Sequence, residues 1–267
     1  MRLDAYLASA GKARSRTHAA SLIREGCVTV NGRAAAKPAL EIGEGDIVKV
    51  LSPEVSFVSR GGLKLHGALE SLALDVTGLD CADIGASTGG FTDCLLSRGA
   101  AHITAVDTGC GQLAPSLASD PRVTNLENCN ARYMTPETVE GKKDLAVADV
   151  SFISQTLIIP AVAGILKENG KYICLVKPQF ECGREALNKN GIVRDKKYHL
   201  AALRKVYAAL LESGLYPVAV LRSSITGGDG NSEFLFLAET ACGEDTEIKK
   251  RIVSDVQMQE VVYDKDA

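Results

Sequence analysis

The chain of 267 residues has no tryptophan, and its 6 Phe and 7 Tyr leave the interior to aliphatic side chains. It has no membrane-length apolar run. The nearest thing to one, residues 150–166, is uncharged but broken by Ser151, Ser154, Gln155, Thr156 and Pro160. It falls short of the ~20 apolar residues of a span and reads as a buried loop and helix of an α/β domain. Asp4 interrupts any apolar leader. Of 8 cysteines, spread from Cys27 to Cys242, no two form Cys-x-x-Cys. In a chain this long that excludes a disulfide scaffold, and the expected state is reduced and cytoplasmic. His18, His66, His102 and His199 stand apart without metal-ligand spacing, so no metal is expected. Two nucleotide signatures are also missing, Gly-x-Gly-x-x-Gly and Gly-x-x-x-x-Gly-Lys-Ser/Thr.

What is present is an ordinary globular composition, 46% hydrophobic and 24% charged, with an uneven distribution of charge. The net charge is −3, which taken whole disfavours a nucleic-acid partner. Residues 1–64 carry 10 basic and 6 acidic side chains (+4), and residues 65–267 carry 20 and 27 (−7). A basic front end on an acidic body is an asymmetry associated with nucleic-acid contact.

In that front end a short helix starts at Arg2-Leu3-Asp4 and stops near Gly11. Ser15 or Thr17 can cap a second helix, whose apolar positions Ala19, Leu22 and Ile23 lead to Gly26. A strand at 27–30 turns at Asn31-Gly32, and Gly45-Asp46 introduces another at 47–51. The blocks Arg2-Leu3-Asp4, Ser15-Arg16, Leu22-Ile23-Arg24-Glu25-Gly26, Val28-Thr29-Val30-Asn31-Gly32 and Gly45-Asp46-Ile47-Val48 resemble a small RNA-binding module. That module is shared by pseudouridine synthases, tyrosyl-tRNA synthetases and a small-subunit ribosomal protein. The resemblance implies structured RNA as partner, with Arg2, Ser15, Arg16 and Arg24 as contacts.

From residue 80 the pattern becomes α/β. Strand 81–84 runs into Gly85-Ala86-Ser87-Thr88-Gly89-Gly90, a helix follows over 91–98, and strand 102–106 ends in Asp107. Such a βαβ unit lets a ligand approach backbone near a helix N-terminus, and a carboxylate 22 residues after Gly85 suits ribose hydroxyls. Further strands are expected at 123–126, 144–148, 171–176, 216–222 and 233–238, with helices over 154–166 and 196–213. The block Asp83-Ile84-Gly85-Ala86-Ser87-Thr88-Gly89-Gly90-Phe91 resembles the first motif of class I S-adenosylmethionine-dependent methyltransferases. The resemblance implies a doubly wound, mostly parallel Rossmann-like sheet. It makes Asp83, Gly85, Ala86, Ser87, Gly89, Gly90 and Phe91 cofactor-binding candidates, Asp107 the ribose ligand and Asn130 a candidate for the adenine side.

Four ionisable residues stand where charge is awkward: Lys64 among apolar helix neighbours, Asp149 and Lys177 just past strands, and Glu233 opening one. Singly, each has an ordinary structural explanation: a snorkelling lysine, a capping aspartate or a strand-end ion pair. As a set in this order they resemble the Lys-Asp-Lys-Glu tetrad of FtsJ-type ribose 2′-O-methyltransferases. With Val58-Ser59-Arg60-Gly61-Gly62-Leu63-Lys64-Leu65, Asp149-Val150-Ser151-Phe152-Ile153-Ser154 and Val176-Lys177-Pro178-Gln179-Phe180-Glu181, the chain resembles the TlyA (hemolysin A) family. Gly191-Ile192-Val193-Arg194-Asp195 and the stretch from Ile225 to Glu233 extend the likeness to about residue 240.

The family implies methylation of cytidine ribose in ribosomal RNA of the large subunit, in some members also of the small one. Arg60 joins the implied RNA contacts. A ribose hydroxyl is a poor nucleophile at neutral pH, so a base must take its proton; Lys177 is the expected base, with Lys64, Asp149 and Glu233 around it. The implied organisation is an RNA-binding domain over 1–52, a linker over 53–58, the methyltransferase over 59–240 and a charged tail over 241–267. Two rivals remain at this stage. A membrane-lytic protein would lyse cells even as Lys177→Ala, and a non-catalytic assembly factor would bind RNA without transferring methyl groups.

Overall fold

The computed structural model describes residues 1–13, 15–24, 28–31, 33–35, 37–43, 45–50, 57–227, 230–241 and 246–263. Two compact units result, Met1–Ser56 and Phe57–Ala267.

In the first unit, α1 (Leu3–Ser9) and α2 (Arg16–Arg24) precede three short antiparallel strands, β1 (Val28–Val30), β2 (Arg33–Ala34) and β3 (Val48–Val50), ordered β2-β1-β3. Leu3, Leu7, Ala19 and Ile23 are buried in one cluster with Val28 and Val48, the small core that the helical spacing of the apolar residues calls for. Ser15 Oγ accepts the His18 amide at 3.1 Å and so caps α2. The reversal after β1 uses Asn31 in the left-handed region (φ 52°), where its Oδ1 accepts the Ile47 amide and its Nδ2 donates to Asp46. The expected roles of Gly26, Cys27, Gly32 and linker residues 53–56 lie outside the described residues.

The second unit runs α3 (Gly61–Ser71), β4 (Asp80–Ile84), α4 (Gly90–Ser97), β5 (His102–Val106), α5 (Pro115–Ala118), β6 (Val123–Leu126), β7 (Lys143–Ala148) and α6 (Ile159–Ile165). It continues with β8 (Leu166–Val176), α7 (Pro178–Glu181), α8 (Lys196–Glu212), β9 (Leu215–Arg222), β10 (Phe234–Thr240), α9 (Thr246–Lys250) and α10 (Asp255–Tyr263). Seven strands form one sheet in the order β6-β5-β4-β7-β8-β10-β9, parallel except for β10, which is antiparallel to both neighbours. This is the expected doubly wound sheet. Its central strands are buried on both faces: Tyr172, Cys174 and Val176 of β8 face one cluster, Ile173 and Leu175 the other.

Three expectations change. The helix expected over 154–166 splits into a 3-10 turn at Gln155–Leu157 and α6, because Pro160, which has no N–H to donate, sits in the first turn of a new helix. The loop before it is not buried: Phe152 is 92% exposed. The supposed charged tail carries α9 and α10, and α10 buries Met258 and Val262 in the same cluster as β8, while Arg222 donates to the carbonyls of Val261 and Val262.

Candidate active site

Four parallel strands end on one edge, and the segments that follow them carry the candidate site residues: the glycine turn after β4, Asp107 after β5, Asp149–Ser154 after β7 and Lys177 after β8. Glu233 arrives from the opposite direction. Because β10 is antiparallel to β8 with Phe234 opposite Val176, the residue before β10 lies beside the residue after β8.

Gly85 has φ +80°, and a Cβ there would lie 3.0 Å from the Asp149 carbonyl, so the turn needs glycine both for its conformation and for room. Beneath the turn Asp83 is fully buried; its Oδ2 accepts the Thr92 amide (2.9 Å) and hydroxyl (2.7 Å), which ties β4 to the start of α4. Burial pushes the Asp83 carboxyl up to about 7, with Asp149 and Asp107 nearby adding to the shift and Thr92 opposing it. Asp107 accepts the Ser87 amide (2.8 Å) and the Gly109 amide (2.7 Å), bridging the turn to the loop after β5. A Cβ at Gly90 would collide with Ser59 Oγ and lie 2.9 Å from the Gly62 amide. The N-termini of α3 and α4 therefore pack backbone to backbone, and Val58 N–H donates to Asp93 at 2.7 Å.

That packing delivers Lys64, in the first turn of α3, to the strand edge. Its Nζ lies 2.7 Å from Glu233 Oε2 and 3.5 Å from Asp149 Oδ2. Lys177 Nζ lies 2.6 Å from Asp149 Oδ1 and donates to Ser151 Oγ at 2.8 Å. The result is an unbroken row of alternating charge, Glu233–Lys64–Asp149–Lys177. Both lysine side chains are about nine-tenths buried, at 10% and 9% exposure. Buried ionisable groups need partners, and here each lysine has a carboxylate beside it. The sequence reading named all four, and the structure brings them together.

A cavity of about 380 Å³ opens beside this row. Gly85, Ser87, Asp107, Asn130, Asp149 and Ser151 give it polar walls, and Val106, Val150, Ile153 and Ile158 an apolar side. Of the cofactor candidates, Gly85, Ser87, Asp107 and Asn130 line it. Asp83, Ala86, Gly89, Gly90 and Phe91 are not among its lining residues and instead build the turn and the helix start. Asn130 Oδ1 also accepts the Arg132 amide at 3.1 Å and caps the 3-10 turn Ala131–Tyr133. An apolar slot with a strand-end carboxylate and exposed turn backbone suits an adenosine-bearing ligand such as S-adenosylmethionine.

The RNA candidates have structural duties of their own. Arg2 donates to both oxygens of buried Asp4 (3.1 and 2.9 Å), and Arg16 donates to the same carboxylate at 3.2 Å. The Arg2 guanidinium holds the Asp4 carboxyl down to about 2. Both arginine side chains stay at least half exposed. Arg60 donates to the Thr226 carbonyl at 3.1 Å, and the Arg24 side chain lies outside the described residues. Ser151 and Phe152 had no role in the sequence reading, although both sit in the Asp149 block. Neither residue type signals chemistry without its neighbours in space. No helix of the described residues is long and apolar enough to cross a membrane.

Comparison with known proteins follows the same division of the chain. Residues 57–240 match the FtsJ-like methyltransferase model, and residues 1–48 match the S4 domain. A 16S/23S rRNA (cytidine-2′-O)-methyltransferase TlyA of Mycobacterium tuberculosis is 45% identical over 240 residues, 90% of each chain. Hemolysin A of Brachyspira hyodysenteriae is 39% identical over 236 residues, 88% of this chain and 98% of its own. A solved structure from Streptococcus thermophilus with the provisional description hemolysin superposes with a TM-score of 0.71 at 40% identity, covering 97% and 96% of the two chains. An FtsJ-like methyltransferase domain behind an S4 domain, at this level of identity over nine-tenths of the length, places the chain in the TlyA family of rRNA cytidine-2′-O-methyltransferases.

Proposed function

We propose that the protein methylates the ribose 2′-hydroxyl of a cytidine in large-subunit ribosomal RNA, and that Lys177 is the general base. The row Glu233–Lys64–Asp149–Lys177, which meets the cavity wall at Asp149, carries this reading.

Asp107 would hold the ribose of S-adenosylmethionine, the glycine turn its amino-acid end, and Val106, Ile153 and Ile158 its adenine. The bound cofactor supplies a methyl group already activated by its sulfonium. What this chain must add is alignment and a proton acceptor. The two oxygens of Asp149 are divided between two lysines, so neither lysine has that carboxylate to itself, and Glu233 balances Lys64. When the cofactor's methyl group is transferred to the ribose oxygen, Lys177 Nζ, in its neutral form, would take the hydroxyl proton. Asp149 then faces the lysine that has gained charge. Arg2 and Arg16, held on Asp4 with their outer N–H groups exposed, suit the phosphates of the RNA.

Lys177→Ala tests the reading. Methyl transfer should be abolished while S-adenosylmethionine binding, measured by calorimetry, stays within a few-fold of wild type. Full activity in that variant would contradict it.

A further inference from the structure

Ser151, like Asp149, both lines the cavity and touches the Lys177 amine. A neutral amine has two N–H bonds and one lone pair, arranged tetrahedrally about nitrogen. Lys177 Nζ donates to Ser151 Oγ at 2.8 Å, and Asp149 Oδ1 lies 2.6 Å away as an ion-pair contact without a hydrogen bond; the hydrogen bond fixes one direction, the carboxylate draws an N–H to its side, and the third direction is left to the lone pair. Without the hydrogen bond to Ser151, the amine would rotate about its terminal bond and the lone pair would move among its staggered positions.

The loop that presents Ser151 is held hard at both ends. Asp149 N–H donates to the Ile84 carbonyl at 3.1 Å. At the far end the buried Glu181 carboxylate accepts the Ser154 hydroxyl and the Gln155 amide (2.7 Å), and Lys205 pairs with it at 3.2 Å. Gln155 itself donates to the Leu175 carbonyl of β8 and accepts from the Tyr172 hydroxyl, both buried. Between these anchors Phe152 adopts φ +61°, a left-handed conformation that costs a bulky residue free energy and persists only where its surroundings impose it. Strain next to a residue that touches the catalytic amine has a use if it aims that residue.

We infer that Ser151 is a positioning residue that, together with Asp149, directs the reactive valence of Lys177 at the substrate hydroxyl. This rests on the reading of Lys177 as base. The third direction at Nζ then lies fixed before substrate arrives, and the orientation need not be found during the reaction. The side chain is exposed, so shortening it leaves the core packing untouched.

The test compares Ser151→Ala and Ser151→Thr in the full chain with S-adenosylmethionine and purified ribosomal subunits, alongside thermal melts. Ser151→Ala should lower kcat by about tenfold or more, the scale expected when a reacting group is no longer held in orientation. KM for both substrates should stay within about twofold, and the melting temperature should be unchanged. Ser151→Thr, which keeps the hydroxyl, should recover most of kcat. Wild-type kcat in Ser151→Ala, or a loss appearing in KM for S-adenosylmethionine instead, would overturn the inference. Lys177→Ala run in parallel separates the two failures. If it is inactive while Ser151→Ala is not, only Ser151 loses its role; if Lys177→Ala is active, the base assignment itself falls.

Discussion

Asp83 lies at the end of β4 with no exposed surface, one oxygen bonded twice to Thr92 and its carboxyl pushed up to about 7 by burial. The folded protein thus keeps a proton there that the unfolded chain releases near pH 4. Between those values the folded state binds more protons than the unfolded one, so this site's contribution to stability falls as pH rises from about 4 to about 7. Asp83→Asn, which mimics the protonated acid, should raise the melting temperature of the free protein at pH 8 and have no effect near pH 4. Such a gain would mark the carboxylate as a group the fold tolerates and does not need. A lower melting temperature at pH 8 would show instead that the ionised carboxylate is the form the fold prefers. Lys143 is a useful contrast. It is fully buried and paired with Asp80 at 2.9 Å, but at the starting edge of the strands, far along the sheet from the cavity edge. Burial of a charge alone does not make a residue a candidate for catalysis; its distance from the cavity edge sets Lys143 apart.

Among the elements, the loop after β7 and the turn α7 after β8 depend on one another. Glu181 closes α7 and holds Ser154 and Gln155, with Lys205 of α8 behind it. Glu181→Ala would leave the buried Gln155 N–H without an acceptor and should cost roughly 2 kcal/mol of stability, read as a lower melting temperature. Activity should fall further than the melting curve explains, since the same hydrogen bonds frame Asp149 and Lys177. A variant as stable and as active as wild type would show that Glu181 holds neither loop nor site. How far such features can be read in the sequence follows from their range. Strands β5 and β6 match their expected bounds because short apolar runs between turn residues encode a buried parallel strand locally. The four-residue charge row could be named from its motifs, yet its order in space depends on the antiparallel return of β10, which no local pattern encodes. Helix α10 escaped because its buried face amounts to Met258 and Val262, four residues apart amid polar neighbours. Pro160 marks the start of α6 in the sequence itself, since a proline is tolerated in the first turn of a helix and not in its interior.

For the whole molecule, a net charge of −3 conceals a basic first unit, with 8 basic and 6 acidic side chains over residues 1–56 (+2), and an acidic second, with 22 and 27 over residues 57–267 (−5). Arg2 and Arg16 converge on Asp4 in the first unit, and the second keeps two lysines, Lys64 and Lys177, about nine-tenths buried. Replacing both arginines by alanine should raise KM for the ribosomal substrate and reduce the magnitude of the log–log salt slope of RNA binding by about 1 for each phosphate no longer neutralised. S-adenosylmethionine affinity, a property of the other unit, should not change. An unaltered salt slope would mean that these guanidiniums serve only to hold Asp4.

The central claim is the identity of the product. Wild-type protein and Lys177→Ala are each incubated with labelled S-adenosylmethionine and each purified ribosomal subunit, and the RNA is digested to nucleosides for mass spectrometry. The account predicts 2′-O-methylcytidine from the large subunit with wild-type protein and none with Lys177→Ala. A base-methylated nucleoside, or no labelled product from either subunit, would contradict it.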